Sequence, residues 1–142
     1  MSAKEFLRSV RRMDELIDRK QRQLERLAEL RAQAESCTVA LSPDKVQTSG
    51  RNSAENIMVR IVDLQYEINA DIDKYAELRK NAYRMIDSLD DSRYVGLLYR
   101  YYLEQKTWEE VAVEMKYSYR RIMQLHGYAL NALNQKIAHN CI

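Results

Sequence analysis

The stretch from Thr107 to Leu133, TWEEVAVEMKYSYRRIMQLHGYALNAL, decides the fold of this chain. Thr107 precedes Glu110 by three positions, the spacing of a capping box, and so opens a short helix with Val111, Ala112 and Met115 on its apolar side. Lys116-Tyr117 reads as the turn, and Ser118 as the N-cap of a longer helix. Ile122, Leu125, Ala129, Leu133 and Ile137 recur at three- and four-residue spacing, which is one buried face of that helix. Upstream, Asp90, Asp91 and Ser92 are good N-cap residues, and the stretch from Arg93 to Tyr102 reads as a short apolar and aromatic helix. Two helices joined by a three-residue turn, the second longer and basic, have the helix-turn-helix form.

Before Leu89 the period is different. Phe6, Val10, Met13, Ile17, Lys20, Leu24, Leu27, Arg31 and Ala34 alternate at spacings of four and three, a heptad seam with two polar intruders. A second seam runs through Ala54, Ile57, Ile61, Leu64, Ile68, Asp71, Tyr75, Leu78, Ala82, Met85 and Leu89. Between them, residues 37–53 hold the only Pro together with Gly, Ser, Thr and Asn, and are expected to form a long loop. Asn52, with Glu55 three residues on, reads as the cap that starts the second long helix. Folding back at the loop sets Phe6 opposite Met85, Ile17 opposite Tyr75, Leu27 opposite Leu64 and Ala34 opposite Ile57. Lys20 then meets Asp71, so the two seam charges of opposite sign fix the register. The alternative is intermolecular pairing into a coiled-coil dimer. The expectation is an all-α chain: an antiparallel, coiled-coil-like helical hairpin over 1–89, then a three-helix domain over 90–142.

Composition excludes several other classes. With three Gly and one Pro in 142 residues, the chain lacks the turns of an all-β fold. Two cysteines, Cys37 and Cys141, do not make a disulfide scaffold, and reduced thiols are expected. No run approaches the ~18 apolar residues of a membrane span, and charges interrupt every apolar stretch near the N-terminus, so a cytoplasmic protein is expected. P-loop, dinucleotide-binding, zincin and nucleophile-elbow motifs are all missing, so no enzyme and no cofactor are expected. His126 and His139 lack Cys or acidic neighbours at ligand spacing, so no metal is expected either. Trp108 and the tyrosines at 94, 99, 101 and 102 read as packing residues. The net charge is +2, unevenly spread: from Ser118 onward there is no acid, only Arg120, Arg121, Lys136 and two His. A basic end of this kind points to nucleic acid.

The 107–133 stretch resembles region 4 of the sigma-70 class of bacterial sigma factors. Thr107, Glu109, Glu110, Val111, Ala112, Tyr117, Ser118, Ile122, Gln124, Ala129, Leu130 and Leu133 match that pattern without a gap. The whole chain, a helical pair followed by a sigma-like tail, is similar to small phage and prophage proteins in the style of the ArpU-like phage transcriptional regulators. The resemblance implies a transcriptional regulator of phage or prophage genes in the cytoplasm of a bacterial host. Double-stranded DNA is the implied partner, and the hairpin serves homodimerisation or contact with RNA polymerase.

On that reading the third helix lies in the major groove. Tyr119, Arg120, Met123, Gln124 and Gly127 form its outward, base-reading face, with Asn131 at its end. Arg and Gln are the side chains that read guanine and adenine edges. Lys116, Ser118, Arg121 and Lys136 are placed as phosphate contacts. Sigma region 4 usually carries Arg where this chain has Tyr119 and Met123, which implies a DNA site other than the promoter element those factors read. Two further readings stay open: a phage DNA-packaging component similar to small terminase subunits, and a sigma-mimicking module that binds protein alone.

Overall fold

The computed structural model describes the backbone of residues 2–40 and 46–140, and the side chains of residues 2–35 and 54–138. Among these residues the chain is helical, with no strand. Helix α1 spans Ala3–Ala40 and α2 spans Val46–Asp87; α3 (Ser92–Leu98), α4 (Trp108–Met115) and α5 (Tyr119–Asn140) follow. No helix among the described residues is long and apolar enough to cross a membrane.

The two long helices run further than the sequence pattern suggests. Residues 37–40 and 46–53 of the expected loop are helical, and 41–45 lie outside the described residues. Asn52 therefore falls inside α2 and does not cap it. Ser, Thr, Asn and Gly are weak helix formers, but each costs at most ~1 kcal/mol, and long flanking helices override that preference. Helix α1 instead begins with a capping box at Ser2 and Glu5. The Glu5 N–H donates to Ser2 Oγ at 3.2 Å, and the Ser2 N–H donates to Glu5 Oε2 at 3.3 Å.

The chain divides into two compact units. The first, Glu15–Asp73, pairs the middle of α1 with the first part of α2. Pairing is antiparallel: Leu24 and Ile68 line one shallow groove, Leu27 and Leu64 another. Among its described residues, Ile17, Ile61 and Ile68 are the buried side chains. A two-helix seam has only one interface, so most of its apolar residues stay half-exposed.

The second unit, Met1–Asp14 with Lys74–Ile142, is a helical domain with a continuous core. Ala3, Leu7 and Val10 from α1, Ala82 and Ile86 from the end of α2, and Leu89 just after it join Leu97, Leu98, Val111, Ile122, Leu125, Ala129 and Leu133. The expected boundary at residues 89 and 90 is thus displaced: the start of α1 and the end of α2 belong to the C-terminal domain. The heptad period concealed this, because a seam residue looks the same whichever helices it packs against.

Helix α3 also departs from expectation. The α-helix stops at Leu98, and Tyr99–Leu103 forms a π-helical turn closed by the Glu104 N–H donating to the Tyr99 carbonyl at 2.9 Å. The extra residue turns Tyr102 and Leu103 both into the core. Helix α1 reaches this widened turn and the segment after it. The Arg11 guanidinium donates to the Tyr101 carbonyl and, at 3.3 Å, to the Lys106 carbonyl, while lying 4.0 Å from the centre of the Tyr101 ring.

Candidate nucleic-acid interface

Helix α4 starts at Thr107, whose hydroxyl accepts the Glu110 N–H at 3.2 Å. It ends in a Schellman motif. The Tyr117 N–H reaches the Ala112 carbonyl at 3.0 Å, and the Lys116 N–H reaches the Val113 carbonyl at 3.3 Å. The motif puts Lys116 at φ 62, a left-handed conformation that glycine would adopt without strain. Ser118 follows at once and caps α5, its hydroxyl accepting the Arg121 N–H at 3.1 Å. The turn is therefore fixed by hydrogen bonds at both ends, and the Ser118 cap is the one its sequence motif specifies. Ala112, buried and small, lets α4 lie close to α5.

Helix α5 packs as its apolar spacing predicts. Ile122, Leu125, Ala129 and Leu133 are fully buried and Ile137 is half-buried. The opposite side presents Tyr119, Arg120, Gln124, Gly127, Tyr128 and Asn131, all exposed. Arg121 is half-exposed and donates to Gln124 Oε1 at 3.2 Å, orienting that carboxamide.

Two expected contact residues do not stand free on that side. Met123 is half-buried and packs against the core; it shares a helix face with buried Leu130, and its unbranched chain fills the edge of the core. Lys136 is also half-buried, with its ammonium 3.8 Å from Asp90. It lies seven residues after Ala129, on the flank of the buried face.

The charges of this domain are arranged unequally. Arg93 pairs with Asp91 at 2.8 Å, and Lys106 with Glu114 at 2.5 Å. Among the described residues, no carboxylate lies within ion-pair distance of Lys116, Arg120 or Arg121. These three cations surround the N-terminus of α5, where the helix dipole disfavours positive charge. No described carboxylate of the domain pairs with them, so the arrangement suits an external anion.

No protein-family model, curated protein or solved structure matches this chain.

Behind the surface lies an aromatic cluster that sequence reasoning only partly anticipated. Tyr101 stacks on Trp108 with ring centres 3.7 Å apart. His126 lies 4.6 Å from Trp108 and hydrogen-bonds through Nε2 to the Tyr102 hydroxyl at 2.7 Å. Burial, helped by the nearby charges of Lys4 and Arg8, pushes the His126 pKa down to about 4, so the ring is neutral at pH 7. Its position four residues after Ile122, on the buried face, was the available signal. Asn134 was missed as well: its Oδ1 accepts the Ala3 N–H at 2.9 Å and ties the start of α1 to α5. Among the described residues no group of His, Cys, Asp or Glu is arranged to hold a metal ion. Cys37, His139 and Cys141 have side chains outside the described set.

Proposed function

We propose that this chain is a sequence-specific DNA-binding protein, acting as a transcriptional regulator of phage or prophage genes in a bacterial cytoplasm. Its α4 and α5 form a helix-turn-helix with α5 as the recognition helix. The observation that carries this reading is the capped N-terminus of α5, where Lys116, Arg120 and Arg121 cluster without an ion pair among the described residues beside a helix face that is exposed and free of acids. Phosphates supply the missing anions, and Arg120 and Gln124 supply base-edge readout. The paired arms of the Glu15–Asp73 unit provide a second contact, with another copy of the chain or with RNA polymerase. Met58, Val62 and Tyr66, spaced by four and exposed on α2, are the apolar residues offered there.

The test is electrophoretic or fluorescence titration of the full chain with duplex DNA at low and moderate salt. Tight binding that weakens steeply with salt and retains a preferred sequence supports the proposal. Absence of affinity at low salt leaves a protein-binding module instead. Binding without sequence preference, by a ring of many copies, favours the packaging reading.

A further inference from the structure

Gly127 sits in the middle of α5, on its exposed face, and, its chain neighbours and the adjoining helix backbone aside, no described atom lies within 4 Å of a Cβ built there. Its φ is not positive, so its backbone conformation suits any residue. Neither packing nor geometry within the chain requires glycine. An exposed glycine inside a helix is, moreover, the less stable choice, since alanine restricts the unfolded chain and favours the helix. Nothing described within the chain accounts for the missing side chain.

The neighbours of Gly127 indicate what approaches it. On the same face, Gln124 precedes it by three residues and Asn131 follows it by four, so two exposed carboxamides flank a notch in the helix surface. A carboxamide that donates and accepts side by side matches N7 and N6 of adenine, and the partner thymine adds a methyl group to the same groove. The notch is uncharged and bare to the backbone, which suits that methyl better than a phosphate.

We infer that Gly127 is the point of closest approach to DNA, where the edge of an A·T pair meets the α5 backbone between Gln124 and Asn131. The inference rests on the DNA-binding reading and assigns the base class at the centre of its site. Gly127→Ala adds one methyl group where the thymine methyl must fit.

The experiment compares the full-length wild-type chain and Gly127→Ala on the duplex that wild type selects from a random pool, with melting temperature measured in parallel. The expected results are a rise in melting temperature of a few degrees, roughly tenfold weaker binding, and recovery when deoxyuridine replaces the central thymine. Equal affinity of the two proteins for the thymine duplex overturns the inference and leaves the DNA-binding reading intact. A loss that no thymine-to-deoxyuridine exchange restores overturns the A·T assignment. Failure of wild type to bind any duplex overturns both.

Discussion

Lys20 Nζ lies 2.6 Å from Asp71 Oδ2, joining α1 to α2 within the Glu15–Asp73 unit, and Glu67 approaches the same ammonium at 3.6 Å. Both side chains of the 2.6 Å pair are about four-fifths shielded from solvent. A seam of apolar residues repeats every heptad and tolerates slippage, whereas one opposite-charge pair is satisfied in a single register. Lys20→Met or Asp71→Leu alone leaves the other charge poorly solvated and is expected to lower stability by about 1–2 kcal/mol, between the values for exposed and fully buried pairs. The double variant should recover most of that loss. A double-mutant cycle in urea measures the coupling, and additive losses would contradict the register role.

The C-terminal domain depends on the N-terminal residues of the chain. Leu7 is fully buried in its core and belongs to α1. Leu7→Ala is expected to destabilise the domain by about 2–4 kcal/mol through lost burial and a cavity. A fragment of residues 90–142 lacks Ala3, Leu7, Val10, Ala82 and Ile86, and should show little cooperative melting by circular dichroism. A fragment that melts as sharply as the whole chain would contradict this domain boundary.

The parts of this fold legible in the sequence are those encoded by near neighbours. Thr107 with Glu110, Ser118 with Arg121, and the Ile122 to Leu133 spacing lie within a turn or two of each other, so local chemistry specifies them. Lys20 and Asp71 were legible over a longer range because each is a charge in an otherwise largely apolar seam, and the fold-back sets the two opposite each other. Long-range features escaped: Arg11 meeting the π-helical turn, and Asn134 capping Ala3 from the far end of the chain. Nothing near those residues marks their partners. Of the outward face, Arg120, Gln124 and Gly127 stand where the helical period puts them, whereas Met123 and Lys136 sit at the margins of the buried face. There a few degrees of helix rotation decides exposure, and a long side chain takes whichever contact is available.

His126 gives the domain a pH dependence of defined sign. Its pKa falls from about 6.5 in the unfolded chain to about 4 in the fold, so the unfolded state binds the extra proton between these values. Stability is therefore full above pH 6.5 and declines as pH drops toward 4, by about 1–2 kcal/mol at pH 5. His126→Phe should remove this part of the acid sensitivity while keeping the aromatic packing. Urea melts of both proteins at pH 7 and pH 5 test the point, and identical pH dependence would contradict it.

Lys116 holds a left-handed conformation at the position where a Schellman motif favours glycine. Lys116→Gly is expected to raise stability by about 1 kcal/mol by relieving that conformation. On the proposed DNA-binding reading the same change removes a phosphate contact, so DNA affinity should drop similarly for all sequences, and the slope of log affinity against log salt should fall by about one. A variant that is more stable but binds with an unchanged salt slope would place Lys116 away from the DNA.

If the outer face of α5 reads DNA sequence, as proposed, selection of bound duplexes from a random pool with the wild-type chain, Arg120→Ala and Gln124→Ala will reveal it. Wild type is expected to enrich a motif, with Arg120→Ala losing preference for a guanine and Gln124→Ala for an adenine. Each loss should amount to about 1–3 kcal/mol of discrimination at its own position. The same motif enriched equally by all three proteins, or no motif from wild type, would contradict that reading.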